Sequence, residues 1–336
     1  MVAKRALVKG QRCFSLVNCN SNKGKGVEEH MKHHFFYYLS FSLLLFLSAC
    51  TPQLNSSLPS AINKEKSDDK YRIVSTTVAI TEIIDALEID LVGIPTTEKT
   101  LPERYAGKTE VGFVKTPDLE IIKYLKPTDV LNVSTLEYDL KPVYEEANID
   151  ASFLNLNTVD NMLGTIEELG MKFEREEQAE QIVAEIEDKV ADVQAEVEVE
   201  ERPTVLILLG IPGSYLVATE NSYIGDLVKL LGGVNIVQGE EVEYVASNTE
   251  YLQQANPDVI LRAAHGMPEE VVEMFDQEFR ENDIWKHFNA VQNGRVYDLK
   301  EEIFGTTASL GVKEAIEELK HMLYEESSSD KRKLSN

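Results

Sequence analysis

His265 is the residue of this chain whose type and position best suit the binding of a metal-centred ligand. It lies four residues after the apolar run Val259–Leu261, and Pro268, three residues further on, is typical of a helix start. Imidazole is a common metal ligand, and the flanking Ala264 and Gly266 leave room for a flat ligand. Read alone, a single histidine is more often a hydrogen-bonded loop residue.

Hydroxyl groups precede a second predicted helix. Thr76 and Thr77 lie directly before a helix predicted to begin near Val78, so their hydroxyls and the first N–H groups of the helix, including that of Ala79, could bind a carboxylate. Helix capping by Thr77 is the simpler interpretation, and both roles are compatible. Tyr215 follows a predicted strand and could stack on a flat ligand or fill the core.

Cys50 follows the small residues Ser48 and Ala49 at the end of the apolar run Phe35–Leu47, which Lys32 precedes. This order resembles the signal peptide and lipobox of bacterial lipoproteins, whose cysteine is acylated. With its small residues the run has 15 residues, fewer than the roughly 20 that span a membrane. A short membrane anchor is the alternative.

The ends of the chain are predicted to lie outside the fold. We expect residues 1–30 to be a mis-called start, with translation beginning at Met31 and a signal peptide over 31–49. Residues 50–70 are rich in Pro, Ser and Asn and predict a flexible, lipid-anchored tether. The polar tail 325–336 is predicted to be disordered.

The charge and cysteine content exclude several classes of function. Without the residues before Cys50 the chain holds 26 basic and 56 acidic residues, a formal charge of −30. Such a surface disfavours nucleic acid and anionic membranes as partners. Cys50 would be the only cysteine left, so an intramolecular disulfide and a cysteine metal cluster are excluded.

One pattern occurs twice along the chain. Residues 119–131 and 249–261 each predict a short helix, a proline turn and a β-branched run suited to a buried strand. Glu120 and Glu250 each precede the proline of their segment by seven residues. A surface charge is usually only solvated, but this matched placement sets the two glutamates apart from the other acids.

Strand–helix–strand alternation on both sides of an acidic helical segment predicts an α/β fold with two Rossmann-like lobes and mainly parallel sheets. The predicted N-terminal lobe covers residues 71–158, the C-terminal lobe 202–324, and the connecting segment 159–201. Within the connection, 174–199 predicts a single long helix of roughly 39 Å. A dimerising coiled coil is the alternative, although Asp188 interrupts the apolar heptads.

These features resemble the substrate-binding lipoproteins of ATP-binding-cassette (ABC) importers that have a rigid helical connection, the class III periplasmic-binding-protein fold. Segments 76–79, 212–219, 222–228 and 265–270 are similar to the haem-binding lipoproteins of the iron-regulated surface determinant systems of Gram-positive bacteria. The resemblance covers the chain from about Tyr71 to Tyr324. It implies a lipid-anchored protein on the extracellular face of the cell membrane, with haem as the transported ligand.

The resemblance also implies partners and roles. The partners are an ABC permease with its ATPase and cell-wall haem donors, and Glu120 and Glu250 match the glutamates that pair with arginines of the permease. His265 matches the axial ligand of the haem iron. The residues implied to line the haem pocket are Thr76, Thr77, Val78, Ala79 and Tyr215.

Lys115 is where the chain departs from the family, which has a methionine there as the second axial ligand. A lysine binds iron only as a neutral amine, whereas lysine side chains are normally protonated at neutral pH. Pairing with a haem propionate is the simpler role. Met267 lies only two residues from His265 and is an awkward ligand for the opposite face of the iron.

Other functions fit the sequence less well. A related importer subunit for a ferric siderophore or cobalamin is the closest alternative. A zinc or manganese site would gather several His and carboxylate ligands, and His265, His287 and His321 are scattered. The sequence contains no Gly-x-Ser-x-Gly elbow or P-loop, so we do not expect an enzyme.

Overall fold

A computed structural model describes residues 70–197, 202–247 and 249–324, without the side chains of residues 249, 250 and 253. All of them belong to one compact unit of the chain. The predicted start region, the signal peptide with Cys50, the tether up to residue 69 and the tail 325–336 lie outside the described residues.

The N-terminal lobe contains a sheet of five parallel strands in the order β3-β2-β1-β6-β7. Ile73 and Leu131 pack on one face of this sheet, and Val74 and Val130 on the other. Burial on both faces explains why the strands read as continuous apolar runs. The strands of the lobe are β1 (Ile73–Ser75), β2 (Leu91–Ile94), β3 (Thr109–Glu110), β4 (Gly112–Phe113), β5 (Thr116–Pro117), β6 (Asp129–Val133) and β7 (Ala151–Leu154). Its helices are α1 (Val78–Ala86), α2 (Leu119–Leu125) and α3 (Glu137–Glu146).

Two helices follow the first lobe, α4 (Val159–Phe173) and α5 (Glu176–Glu196). The C-terminal lobe then forms a sheet in the order β11-β9-β8-β12-β13, and β10 also pairs with β8. β8 is parallel to β10 and β12, whereas β9 is antiparallel to β8 and β11. Its strands are β8 (Thr204–Ile211), β9 (Ser214–Ala218), β10 (Val234–Asn235), β11 (Tyr244–Ala246), β12 (Val259–Ala264) and β13 (Val296–Leu299). Its helices are α6 (Tyr223–Leu230), α7 (Thr249–Ala255), α8 (Pro268–Glu281), α9 (Asn289–Gln292) and α10 (Val312–Tyr324).

The strand before His265 is longer than its apolar run predicts. The apolar run ends at Leu261, but Arg262, Ala263 and Ala264 continue β12, where all three are buried. The guanidinium of Arg262 donates to Asp298 at 2.7 and 2.6 Å and to Asp276 at 2.9 Å. This pairing satisfies the buried charge, so the charged residue does not end the strand.

The connection between the lobes contains two helices: the helix predicted over 174–199 corresponds to α5, and α4 precedes it as a second helix that was not predicted. Glu174 has a φ of 60°, and α4 ends there before α5 begins at Glu176. A Cβ on Gly170 would lie 2.5 Å from the Cβ of Ala179, so the glycine permits close packing where the chain reverses. The 21 residues of α5 span about 31 Å.

The apolar face of α5 is covered within the chain. Val183 and Ile186 belong to a buried cluster that also contains residues of both lobes, such as Ile80 and Leu319. Ion pairs between α5 and α10 lie around it, including Lys189 with Glu317 at 2.7 Å. The coiled-coil alternative is therefore wrong for this face, because α5 packs against α4 and α10 of its own chain.

The segment that leaves β7 is bonded directly to the C-terminal lobe. The carbonyl of Leu156 accepts the N–H of Ala308 at 2.8 Å, and the amide of Asn157 donates to Glu243 at 2.7 Å. At the start of α4, the N–H of Val159 donates to the carboxylate of Asp226 on α6 at 2.9 Å. Three successive contacts therefore fix the two sheets relative to each other.

Candidate functional site

The candidate site lies where parallel strands of both lobes end. Thr77 follows β1, Lys99 follows β2, and Lys115 follows β3 in the hairpin of β4 and β5. In the other lobe, His265 follows β12 and Glu301 follows β13. Ligands of open α/β sheets bind beyond the carboxyl ends of the strands, so the two edges together define a cleft with residues from each lobe.

His265 is held at the end of β12 by backbone geometry. Its N–H donates to the carbonyl of Gly210 in β8 at 2.9 Å. Gly266 and Met267 then have φ values of 73° and 49°, and Pro268 is the first residue of α8. Two successive left-handed residues turn the chain sharply, which leaves the imidazole exposed at the tip of the turn.

The surroundings of His265 favour its neutral form. The pKa of the imidazole is lowered from its ordinary value, chiefly because neighbouring protein displaces part of its water. The carboxylate of Glu301 opposes this shift, whereas the positive charges of Lys115 and Lys99 add to it. A neutral imidazole has a free lone pair on one ring nitrogen and can bind a metal through it.

Lys99 and Glu301 belong to the site and were missed in the sequence. Nζ of Lys99 lies 3.5 Å from Oε1 of Glu301, and the N–H of Gly266 donates to the same oxygen at 3.3 Å. The two residues lie in irregular loops without a recognisable motif. The one available signal was that each loop follows a strand predicted to end at the cleft.

Lys115 lies at the turn of the short hairpin formed by β4 and β5 and is exposed. Gly112 opens this hairpin with a φ of 92°, and a Cβ there would lie 2.8 Å from the N atom of Asp118 and the O atom of Thr116. The hairpin brings Lys115 close enough for its charge to act on His265. The structure thus places the charge of Lys115 near His265, and its role towards a ligand stays a prediction.

The residues around the start of α1 divide into buried and accessible groups. The Thr76 side chain is buried, and its hydroxyl donates to the carbonyl of Leu131 at 3.0 Å. Thr77 caps α1 by accepting the N–H of Ile80 at 3.3 Å. The capping interpretation of Thr77 is confirmed. Val78 and Ala79 form the first turn and are partly exposed, so ligand contact at this end would involve Thr77 and these two residues.

Tyr215 packs mainly within the C-terminal lobe. Its ring lies 5.9 Å from that of Phe275 and 6.4 Å from that of Trp285, measured between centroids. It also lines a depression of about 540 Å³ between β9, β11 and α8, whose lining residues do not include His265. The core-filling alternative for Tyr215 therefore has direct structural support, and its contact with a ligand stays a prediction.

Glu120 and Glu250 occupy matching positions. Each is the second residue of a seven-residue helix, α2 and α7, which a proline and a strand of the central sheet follow. The side chain of Glu120 is 89% exposed and lies 3.8 Å from Nζ of Lys123. The side chain of Glu250 lies outside the described residues. The predicted repeat is confirmed at the level of the backbone.

Two kinds of feature do not occur in the described parts of the chain. In residues 70–197, 202–247 and 249–324, no three His, Cys, Asp or Glu side chains are grouped so as to hold a metal ion. None of the helices in these ranges has the length and apolar content needed to cross a membrane.

The fold and the position of the site define a class of protein. A family model for periplasmic binding proteins matches residues 73–303, and the chain belongs to this family. The predicted α/β fold class is confirmed by this match and by similarity to solved structures.

Particular relatives are similar over most of the chain. The high-affinity heme uptake system protein IsdE of Staphylococcus aureus strain Newman is 44% identical over 278 residues, which cover 81% of this chain and 94% of the relative. The crystal structure of S. aureus IsdE complexed with heme is 45% identical, with a TM-score of 0.73, and covers 76% of this chain and 99% of that one. An ABC transporter substrate-binding protein from Listeria monocytogenes EGD-e is 57% identical, with a TM-score of 0.72, and covers 76% and 98%. The expected family resemblance is confirmed.

Proposed function

We propose that this protein is the haem-binding subunit of an ABC importer, which captures haem in the cleft between its lobes and delivers it to a membrane permease for iron acquisition. The observation that carries the proposal is the position of His265. Its imidazole is exposed at the carboxyl end of β12 and favours the neutral form, as an axial ligand of haem iron requires. Similarity to IsdE, whose name and structure refer to heme, supports the same ligand.

The charges of the cleft suit the rest of the ligand. Haem carries two propionate groups, and Lys99 and Lys115 bring positive charge from the N-terminal lobe to the region of His265. The first turn of α1 offers N–H groups and the positive end of a helix dipole beyond β1. We assign His265 to the iron and these groups to the propionates.

Lys115 is assigned to a propionate and not to the iron. The residue is exposed at the hairpin turn, and it acts on His265 as a positive charge. A cation has no lone pair to give to iron. The proposal therefore predicts haem iron with His265 as the ligand from the protein.

The proposal extends to partners and location. Glu120 and Glu250 are assigned to docking on the permease, because they lie at matching positions on the two lobes, each as the second residue of its helix. Lipidation at Cys50 would anchor the protein to the extracellular face of the membrane, with cell-wall proteins as donors of haem and an ATPase driving the permease. Cell fractionation of the Cys50→Ala protein tests the anchor, since release from the membrane is expected.

Titration of the purified protein with haem tests the proposed function. We expect a Soret band that saturates at one equivalent of haem, together with quenching of Trp285, the single tryptophan of the chain. A ferric siderophore such as ferrioxamine serves as the competing ligand in the same titration. Quenching by ferrioxamine without a haem-dependent Soret change would support the siderophore alternative instead.

A further inference from the structure

An ion pair joins the two lobes beside His265. Lys99 comes from the loop after β2 and Glu301 from the loop after β13, with 3.5 Å between Nζ and Oε1. The side chain of Glu301 is 14% exposed and that of Lys99 is 45% exposed. The carboxylate has therefore lost most of its water, and Lys99 supplies the opposite charge that a largely buried carboxylate needs.

The contacts of Glu301 are long for a charged group. Hydrogen bonds between an N–H cation and a carboxylate are usually about 2.7–2.9 Å, whereas the contacts of Oε1 are 3.5 Å to Lys99 and 3.3 Å to the N–H of Gly266. Both contacts also converge on one oxygen. A pair with this geometry is weaker than a close bidentate pair, so a better-placed carboxylate can compete for the lysine.

Lys99 has negative neighbours in both lobes. Burial raises the pKa of Glu82 on α1, and the charge of Lys99 opposes that shift, which places the ammonium near this second carboxylate. The same ammonium acts on His265. Lys99 is therefore a partly exposed side chain on a loop, with one carboxylate near it from each lobe and its charge acting on His265.

We infer that Lys99 changes partner on ligand binding: it neutralises Glu301 in the free protein and transfers to a carboxylate of the ligand in the complex. The inference rests on the proposed function, because haem propionates are the carboxylates concerned. Once Lys99 has left, Glu301 accepts a hydrogen bond from the ring N–H of His265 on the side away from the iron. Metal-bound histidines commonly donate their second ring N–H to a carboxylate in this way. Lys99 is thus a residue that selects ligands bearing carboxylates.

The experiment compares iron protoporphyrin IX with its dimethyl ester, which has the same iron and ring but no carboxylates. The affinities for both porphyrins are measured with the full-length protein in detergent. The ratio of the diacid affinity to the ester affinity reports recognition of the carboxylates, because an effect on iron ligation changes both affinities equally. A charge-assisted hydrogen bond is among the stronger polar contacts, so Lys99→Met is expected to lower the diacid preference about tenfold. Lys99→Arg is expected to keep most of the preference.

Two matched variants separate partner exchange from a fixed bridge between the lobes. Lys141→Met removes an exposed lysine that pairs with Glu137 at 2.7 Å on α3, and it is expected to leave the ratio unchanged. The double variant Lys99→Glu, Glu301→Lys keeps an ion pair between the lobes but reverses its direction. Partner exchange predicts that this double variant loses the diacid preference, even if the free protein melts at the wild-type temperature.

The outcomes distinguish the inference from the proposed function. If wild-type protein binds neither porphyrin, both are overturned. If it binds haem and Lys99→Met retains the wild-type ratio, partner exchange alone is overturned. If the folded charge-reversed variant keeps the wild-type ratio, partner exchange is also overturned, because the ion pair would then serve only to join the lobes.

Discussion

At the scale of single residues, position in the fold decides which side chains can act on a ligand. His265 could be predicted because a buried strand and a proline helix start bracket it, and strands of this type end at the binding edge of the sheet. Lys99 and Glu301 could not, because the ion pair between them depends on how two loops from different lobes meet. A pattern along the sequence does not show which loops of the two lobes come into contact.

Lys115 provides a prediction at this scale. Lys115→Ala is expected to lower haem affinity a few-fold, since an exposed ion pair contributes roughly 0.2–1 kcal/mol, and to leave the visible bands of the haem complex in place. Lys141→Ala, on helix α3, is the control and should change neither. Absorption spectra with and without cyanide provide the measurement. Displaced bands together with a new cyanide site in Lys115→Ala alone would show that the lysine binds iron.

At the scale of elements, apolar periodicity located most strands and helices but not their ends. The apolar run Leu91–Ile94, for example, coincides with β2. The helix predicted over 174–199 occurs as α5, but α4 was not predicted as a separate helix before it, because neither a proline nor a glycine marks the break at Glu174 and Arg175. The close approach of Gly170 to Ala179 favours the reversal there, and this contact exists only in the folded chain.

Glycines inside helices give a matched pair of predictions. Nothing lies within 4 Å of a Cβ placed on Gly164 in α4, so Gly164→Ala is expected to stabilise the protein by about 1 kcal/mol through helix propensity. A Cβ on Gly225 in α6 would lie 2.1 Å from the carbonyl oxygen of Thr219, so Gly225→Ala is expected to destabilise it by about 1–3 kcal/mol. Urea unfolding measures both, and effects of the same sign would contradict the packing described for α6.

At the scale of the whole molecule, the contacts between the C-terminal lobe and the chain leaving β7 determine how the two edges of the cleft face each other. Asp226 is central among them, because its carboxylate accepts the first N–H of α4. Burial raises the pKa of Asp226 above its ordinary value of 3.8, and the hydrogen bond from Val159 only partly opposes this. The ionised carboxylate is therefore maintained at a cost in stability.

Asp226→Asn gives a prediction with a defined sign. The pKa of Asp226 is higher in the folded protein than in the unfolded chain, so the folded protein binds the proton more tightly. The stability that this proton contributes is present below the ordinary pKa of 3.8, and it is lost as pH rises through the pKa of the folded protein. Asparagine retains an oxygen for the N–H of Val159 but has no charge. Relative to wild type, Asp226→Asn should gain stability as pH rises above about 4, as chemical denaturation at several pH values will show. A gain that grows towards acid pH would contradict the account.

Docking on the permease is also a property of the whole molecule. Charge reversal at both Glu120 and Glu250 is expected to abolish haem import by cells and leave haem binding by the purified protein intact, since electrostatic complementarity steers and orients association. Reversal at Glu145 and Glu146, two exposed acids on α3, is the control and should leave import active. Loss of haem binding in the Glu120 and Glu250 variant would place these residues in the pocket instead.

The central claim is that His265 binds haem iron, and the absorption spectrum of the haem complex tests it most directly. His265→Ala is compared with His287→Ala, which removes another exposed histidine of the same lobe. We expect His265→Ala to shift the Soret band and weaken haem binding about tenfold or more, while His287→Ala behaves as wild type. An unchanged Soret band and affinity in folded His265→Ala protein would contradict the claim.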